Sequence, residues 1–418
     1  MRLAIILAAA LTFSTLVFAQ PVSTSATVPI TLDHNRIIID VYFPLPDGTK
    51  TRVRGWVDNG NAEMWLTQHL AEKLGLEIRE AKKDDASAKT RTAPPPHELL
   101  VGDMAIHPTG IRETTILPDR KTIGPGLSAE VNIPAAVLQN YDVVIDYPNR
   151  EFTIAAPGTL HPKGTPVKAM INALNGLIQI PAKIGDEQHN LALDVGASYG
   201  FLFPEILSKL SKTHSTWPHM TGAVGPANLW GGDDEAHIEL LRIPLVKYGD
   251  IEFAEVGMEA FPAKAADWFE KRAGVATAGL IGANALLNYR VGIDYAHSTV
   301  YFEQTSKGRA PDMDVVGLTL RPELDKRYTV VGVAEYDGKP SVSNVKPGDV
   351  LVSIDKVPAA GGTMGQVWSL LGGSPGEVRT LTLERDGRQF TVEARVRRFL
   401  EARAGSARKV TETPTAKH

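Results

Sequence analysis

The chain carries an internal repeat, and this feature most constrains how it can fold. Three segments in the first 165 residues have counterparts, in the same order, after residue 166. The matches pair residues 35–40 with 175–180, 55–61 with 191–197, and 140–149 with 288–297. The separation between matched segments varies, which indicates loops of different length between shared elements. The repeat therefore predicts two domains of related fold, residues 20–165 and 166–306.

Each half has the residue pattern of a β-rich domain. Alternating or continuous runs of β-forming residues between turn residues predict strands. Leucines spaced four apart, and a proline that can open a helix, predict one short helix after the second matched segment of each half. The predicted strands are Val41–Phe43, Arg52–Val57 and the region 143–154, and the predicted turns are 46–48 and 185–186. The predicted helix of the first half contains Leu66, Leu70 and Leu74, and that of the second half begins at Pro204.

A repeated Asp-x-Gly motif carries the candidate chemistry. Asp58 and Asp194 each follow an apolar strand and precede Gly60 and Gly196. Glycine permits a tight turn and the close approach of another segment. If the two halves pair about a pseudo-two-fold axis, the two carboxyl groups meet, and carboxylates that share a site cannot both ionise readily. The ionised group can then activate water while the protonated group polarises a peptide carbonyl.

These segments resemble the aspartic peptidases, specifically bacterial retropepsin-like proteins with two copies of the domain. The resemblance covers about residues 35–306 and also rests on Leu280-Ile281-Gly282 and on the strand pair that follows it. It implies a mainly β fold with two pepsin-like or retropepsin-like β-barrel lobes related by a pseudo-two-fold axis. It also implies that Asp58 and Asp194 form a catalytic dyad that acts on an extended peptide. The loop residues that would support this dyad are Asn59, Gly60, Asn61, Gly196, Ala197, Ser198, Ile281 and Gly282.

The sequence departs from the family motif, mainly in the first half. The family's hydroxyl residue after each Asp, which links the two catalytic loops by hydrogen bonds, is replaced by Asn59 and Val195. Asn61 is also atypical, and Pro134 stands where the first half should carry a glycine. Three interpretations stay open: an active endopeptidase, a peptidase-like protein that binds peptides or proteins without cutting them, and a purely structural repeat protein.

A glycine-rich segment in the second half is the candidate flap over the cleft. Residues 221–232 can form a mobile hairpin tip, with Gly225, Trp230 and Gly231 as its candidate functional residues. The first-half counterpart, residues 79–97, is polar and predicts a solvated loop.

Metal chemistry is not predicted. Histidine and aspartate residues cluster in sequence without the spacing of a helical metal site; they are His214, His219, Asp233, Asp234 and His237. Cysteine is absent, which excludes thiolate metal sites and a cysteine nucleophile. We expect no cofactor and no metal.

The C-terminal region predicts a separate module. After a polar linker, residues 307–315, the stretch Lys346-Pro-Gly-Asp-Val-Leu-Val-Ser-Ile-Asp355 and a later hairpin resemble a PDZ domain of the bacterial type, residues 316–398. PDZ domains bind an extended peptide as an added strand beside a helix. The resemblance implies a peptide groove, of unknown ligand, between Tyr328–Ala334 and Met364–Leu371, with Tyr328, Val330, Gly332, Val367, Leu370 and Leu371 as groove residues. Residues 401–418 are mainly small, polar and basic, and we predict a disordered tail over residues 399–418.

The N-terminus and the charge balance suggest where the protein acts. Arg2 precedes an uncharged run to Ala19, which predicts a signal peptide, residues 1–19, cleaved after Ala19; an uncleaved membrane anchor is the alternative. We therefore expect a periplasmic or secreted protein with no other membrane contact. The net charge of −4 argues against a nucleic-acid partner. The resemblance to aspartic peptidases implies a peptide or protein substrate.

Overall fold

The structure is a computed structural model that describes residues 23–80, 91–117, 122–261, 269, 271–306 and 312–401. The predicted signal peptide lies outside the described residues, as do residues 307–311 of the predicted linker and residues 402–418 of the predicted tail. The described chain is mainly β, as the sequence predicts. No helix among the described residues is long and apolar enough to cross a membrane.

The first half is built from short strands and two short helices. Thr67 caps the first helix, because its side chain accepts the Leu70 backbone N–H. The helix therefore begins at Gln68, and Leu66, which was predicted to be helical, belongs to the preceding strand. The elements are β1 Ser25–Pro29, β2 Thr31–Asp33, β3 Arg36–Pro44, β4 Lys50–Asp58, β5 Trp65–Thr67, α1 Gln68–Lys73, β6 Arg79–Glu80, β7 Arg91–Ala93, β8 Leu99–Val101, β9 Met104–Ile106, β10 Thr114–Leu117, β11 Val131–Pro134, α2 Ala135–Leu138, β12 Asp142–Asp146 and β13 Glu151–Ala155.

The second half repeats this alternation of strands and short helices. Pro204 opens its longest described helix, as predicted. The elements are β14 Thr165–Lys168, β15 Met170–Ile171, β16 Ile178–Ile184, β17 Glu187–Leu193, β18 Gly200–Leu202, α3 Pro204–Thr213, β19 His219–Thr221, β20 Glu239–Tyr248, β21 Ile251–Ala260, β22 Gly279–Ile281, α4 Ala283–Leu286, β23 Tyr289–Asp294 and β24 Thr299–Gln304, with 3-10 helices at Gly225–Ala227 and Asp233–His237.

Both halves place a strand in parallel beside the strand that leads to the Asp-x-Gly motif. In the first half β11 runs beside β4, with Pro134 opposite Asp58. In the second half β22 runs beside β17, with Ile281 opposite Leu193. In each half the added strand leads directly into a short helix, α2 or α4. This arrangement holds both motifs at the ends of buried strands.

A six-stranded sheet joins the two halves. Its order is β1-β13-β12-β23-β24-β14, so three strands come from each half. The central strands β12 and β23 are antiparallel, with Asp142 opposite Asp294, Val144 opposite Gly292 and Asp146 opposite Arg290. Their apolar side chains belong to one buried cluster that spans both halves. Burial of this shared core stabilises the halves against separation.

The C-terminal module has its own five-strand sheet path and one helix. The sheet order is β26-β27-β30-β32-β33, so β26 is an edge strand, and Thr363 and Gln366 cap the helix reciprocally. The elements are β25 Asp314–Val315, β26 Leu318–Pro322, β27 Tyr328–Val333, β28 Glu335–Tyr336, β29 Lys339–Pro340, β30 Val350–Ile354, β31 Val357–Pro358, α5 Met364–Leu371, β32 Val378–Arg385, β33 Arg388–Arg395 and β34 Arg397–Arg398.

The described ends of this module differ from the predicted boundaries. Asp312, in the predicted linker, forms an ion pair of 2.9 Å with Arg242, and both side chains are buried. Phe399 and Leu400, assigned to the tail, are buried, and the Leu400 carbonyl accepts a hydrogen bond from Arg242. Both stretches therefore pack with the second half, because a buried arginine requires carboxylate and carbonyl partners.

Candidate active site

The structure brings the two predicted aspartates into one site. Asp58 ends β4, and Asp194 directly follows β17. The glycine of each motif lies against the aspartate of the other. A Cβ added to Gly60 would overlap the Asp194 carboxylate, and one added to Gly196 would lie 2.8 Å from the Asp58 Cα. Only glycine permits this reciprocal approach.

The environment of the two aspartates favours the protonated form of both carboxyl groups. Both aspartates are more than nine-tenths buried. Burial and the charge of Asp194 raise the pKa of Asp58 well above its ordinary value. Burial also raises the pKa of Asp194 to about 6, although two backbone N–H groups that donate to its Oδ1, from Gly196 at 2.8 Å and Ala197 at 3.0 Å, favour ionisation. Asp58 is thus the proton carrier, and Asp194 ionises first.

Asn59 bridges the two aspartate loops with two hydrogen bonds, and Trp56 Nε1, just before the first loop, donates a further one to the Gly196 carbonyl at 3.1 Å. The Asn59 Oδ1 accepts the Val195 N–H at 2.7 Å, and its Nδ2 donates to the Leu193 carbonyl at 2.9 Å. An amide side chain places its donor and its acceptor on two separate atoms, so it reaches two backbone groups at once, whereas a valine side chain offers neither. The two departures from the family motif therefore complement each other: Asn59 makes both bonds, and Val195 fills buried apolar space.

The remaining predicted support residues surround these loops. The Asp194 N–H donates to the Ile281 carbonyl at 3.0 Å, and a Cβ on Gly282 would crowd the backbone of Tyr199. Ser198 Oγ lies 3.0 Å from Nδ1 of His34. Asn61 lines the dyad cavity, and its buried Nδ2 has no hydrogen-bond partner among the described residues. The amide of Asn61 is therefore a free donor in the cavity wall.

Sequence reasoning missed a buried cation beside the dyad. Arg36 is 2% exposed and donates to the Leu229 carbonyl at 2.6 Å and to Nδ1 of His34 at 3.1 Å. Its guanidinium carbon lies 4.6 Å from the centre of the Trp230 ring. Burial lowers the pKa of Arg36 to about 10, so it stays charged at neutral pH, whereas burial lowers the pKa of His34 to about 3 and keeps that ring neutral. The sequence feature that could have indicated this residue is an arginine at the start of an apolar strand.

The dyad opens into a small aromatic cavity of about 130 Å³. Both aspartates, both motif glycines and Arg36 contribute to its wall. The rest is mostly apolar and aromatic, from Trp56, Trp65, Phe201, Phe261, Phe269, Leu280 and Trp230. Such walls can hold apolar side chains and exclude water from the carboxyl groups, which strengthens their electrostatic interactions.

The candidate flap residues lie beside this cavity. The Gly225 carbonyl is 2.9 Å from Nε2 of His34, and the Trp230 and Trp56 rings have centroids 6.0 Å apart. Gly231, at φ +70°, lies against Arg321 and Pro322 of the C-terminal module. The segment is therefore held from two sides. Residues 81–90, in the loop predicted for the first half, lie outside the described residues.

The sequence cluster of histidines and aspartates does not form a metal site among the described residues. His214 stacks on Trp217, with ring centroids 4.0 Å apart. Where the structure describes the chain, a different group could hold a metal ion: His97, Glu98 and His107, whose ligand atoms lie within 4.8 Å of one another. None of these three lines the dyad cavity.

The strand predicted to border the peptide groove of the C-terminal module has no free edge for strand addition. Tyr328 and Val330 belong to β27, which pairs with β26 along its whole length, so β27 has no free edge on that side. Gly332 packs against Ala236 of the second half. On the helix, Val367 and Leu371 are buried and Leu370 is half-buried. The free edge belongs to β26, because the sheet ends there.

A scan against protein-family models and a search of curated proteins each return no match to this chain.

Proposed function

We propose that the protein is an exported aspartic endopeptidase with Asp58 and Asp194 as its dyad. The observation that carries this proposal is the reciprocal approach of the two Asp-x-Gly loops, in which each glycine makes room for the other loop's aspartate. Two buried carboxyl groups with separated pKa values are suited to general acid and general base roles. The residues that replace the family's hydroxyls still supply a link between the loops.

The reaction uses one water and no covalent intermediate. The Asp194 carboxylate removes a proton as the water oxygen bonds to the peptide carbonyl carbon, and Asp58 gives its proton to the carbonyl oxygen. The C–N bond of the tetrahedral diol then breaks, the departing nitrogen takes the proton from Asp194, and Asp58 recovers a proton from a hydroxyl. The dyad returns to its starting state.

The register of the central sheet supports descent of the two halves from one domain. Residues 140–149 match residues 288–297 in sequence, so Asp142 corresponds to Arg290 and Asp146 to Asp294. In the sheet, Asp142 lies opposite Asp294 and Asp146 opposite Arg290. This exchange is what a pseudo-two-fold axis between β12 and β23 produces. We propose two retropepsin-like lobes on this basis.

We propose that the C-terminal module is a PDZ-type domain. An edge strand, a loop and a helix beside them are the parts that such a domain uses for peptide addition. Together with the predicted signal peptide, this module favours an envelope or secreted protein that acts on peptides or unfolded proteins.

The test is cleavage of a random peptide library between pH 3 and 8. Wild type is compared with Asp58→Asn and Asp194→Asn, and with Asp146→Asn as a matched control, since Asp146 accepts hydrogen bonds in a turn outside the cavity. We expect both dyad variants to lose cleavage and the control to retain it. Equal cleavage by wild type and dyad variants would contradict the proposal.

A second candidate is a peptidase-like protein that binds peptides without cutting them. The small volume of the dyad cavity, about 130 Å³, favours a protein that binds peptides away from the aspartates, through the C-terminal module, because an extended peptide at the dyad needs more room. Retained peptide binding with no cleavage by wild type at any pH would select this candidate.

A further inference from the structure

The helix and the edge strand of the C-terminal module hold a segment of the second half between them. This docked segment is Val224–Gly231, which contains the candidate flap residues. We infer that the docked segment occupies the module's peptide groove, between β26 and α5, as an internal ligand, and that an incoming extended peptide competes for the same place. The docking rests on contacts alone, whereas its effect on substrate access rests on the proposed function.

The N-terminal end of the docked segment packs on the helix side of the groove. The 3-10 helix Gly225–Ala227 lies against α5. A Cβ on Gly225 would lie 3.1 Å from the Asp312 carbonyl oxygen and 3.7 Å from Cγ1 of Val315. Apolar residues of the segment and of the module belong to one buried cluster, which includes Val224, Ala227, Leu229, Val315, Leu318, Leu320, Val367 and Leu371.

The middle of the docked segment accepts a backbone hydrogen bond from the edge strand. The backbone N–H of Leu320, in β26, donates to Oδ1 of Asn228 at 2.8 Å, and both residues are fully buried. In strand addition, a peptide carbonyl would accept from such an edge N–H. The Asn228 amide thus takes the position of a ligand backbone carbonyl. Its Nδ2 donates to the buried carboxylate of Glu235, which fixes its orientation.

The C-terminal end of the docked segment fits tightly on the same strand. A Cβ on Gly231 would lie 2.6 Å from Cδ of Pro322 and 2.7 Å from the Cα of Arg321. Arg321 also forms an ion pair with Asp233, just beyond the segment. This end of the groove therefore accepts glycine and excludes larger residues.

The opposite side of the docked segment faces the dyad cavity. The Leu229 carbonyl accepts from Arg36, and the Trp230 ring covers the same guanidinium. Both Leu229 and Trp230 line the cavity that holds Asp58 and Asp194. Release of the segment from the groove would therefore remove part of the cavity wall. Because the segment is tethered, a competing peptide must overcome an effective concentration of roughly millimolar.

Hydrogen exchange of the full-length chain tests the docking. Gly231→Ala places a methyl against the module, whereas Gly249→Ala is a matched control, with a similar positive φ but nothing within 4 Å of the added atom. We expect amide exchange across residues 222–232 to rise about tenfold in Gly231→Ala, because overpacking weakens the contact, and to stay unchanged in Gly249→Ala. Equal exchange in both variants would overturn the inference.

A peptide and a reversible crosslink complete the test. A fluorescein-labelled peptide with the sequence of residues 223–232 should bind Gly231→Ala at least tenfold more tightly than wild type, since the groove of the variant is less occupied.

A reversible disulfide provides the opposite change. The pair Gly222→Cys and Ala334→Cys joins the segment to the module, because a Cβ on Gly222 would lie 3.4 Å from the Ala334 Cβ. The chain has no other cysteine to interfere. Oxidation of this cysteine pair should slow amide hydrogen exchange across residues 222–232 and abolish binding of the labelled peptide. Reduction should restore both the exchange rate and the binding.

The outcomes separate the two proposals. Faster exchange and peptide binding without cleavage of any substrate would support the docking and contradict the peptidase. Cleavage that is identical in the oxidised and reduced crosslinked protein would leave the peptidase standing and contradict the gating role of the docked segment.

Discussion

The two aspartate loops occupy matched places but hold their positions by different means. The loop of Asp58 carries Asn59, whose amide makes two hydrogen bonds to the other loop. The corresponding residue after Asp194 is Val195, which offers only its backbone groups and an apolar side chain. The first half therefore supplies the side chain that links the two loops. In the family that the sequence resembles, two hydroxyl side chains share this role. Loops in matched places can therefore be held by different kinds of bond.

The largest expected effect tests the closeness of the loops. Gly60→Ala should abolish activity and destabilise the protein by about 3 kcal/mol or more, since its methyl would overlap the Asp194 carboxylate. Gly196→Ala should be destabilising to a smaller degree, because its nearest contacts are at 2.8–2.9 Å. Urea unfolding and peptide cleavage measure both. Equal losses of stability in the two variants would contradict the expected difference between the two glycines.

A smaller effect separates the residues that follow the aspartates. Asn59→Leu leaves the Val195 N–H and the Leu193 carbonyl buried without a partner, at a cost of about 2–4 kcal/mol. Val195→Ala removes only two methyl groups, at about 1.5 kcal/mol. Denaturant midpoints should rank the variants in this order. The opposite ranking would show that Asn59 does not carry the link.

The pH dependence distinguishes the two carboxyl groups. The pKa of Asp194 is raised to about 6 in the folded state. A carboxyl group whose folded pKa is raised favours folding most below its unfolded pKa of about 4, and this contribution, of order 2–3 kcal/mol, is lost as pH rises to about 6. Asp194→Asn should flatten the dependence of stability on pH over that range, as measured by thermal unfolding.

The same pKa also predicts how activity depends on pH. Cleavage by wild type should fall below about pH 6, since the mechanism needs ionised Asp194.

The smallest effect concerns a contact that only the second loop receives. Tyr147, on the first half, donates to the Val195 carbonyl at 3.3 Å. Tyr147→Phe removes this long hydrogen bond and should lower the free energy of unfolding by only about 1 kcal/mol. A loss as large as that of Asn59→Leu would mean that Asn59 is not the main link between the two loops.

The sequence was sufficient to predict features that repeat or that depend on neighbouring residues. The mainly β fold is confirmed, and both Asp-x-Gly motifs lie in one cavity. The role of Asn59 could not be predicted, because it depends on the exact approach of a loop more than a hundred residues away. Arg36 was missed for a similar reason, since its partners come from distant loops.

The position of the free sheet edge could not be predicted either. Every residue of β26 and of β27 is buried or half-buried, and both strands carry apolar residues. Local pattern therefore predicts that both are strands but not which one ends the sheet. The strand order depends on pairing with other strands of the module, which the local pattern does not specify.

The central sheet has a consequence for biogenesis. During synthesis β12 is complete long before its partner β23, so one edge of an apolar strand is open until residues 289–294 are available. An open edge of this kind can pair with a strand of another chain. Rapid synthesis of the second half therefore limits intermolecular pairing, because β23 then covers the edge within the same chain.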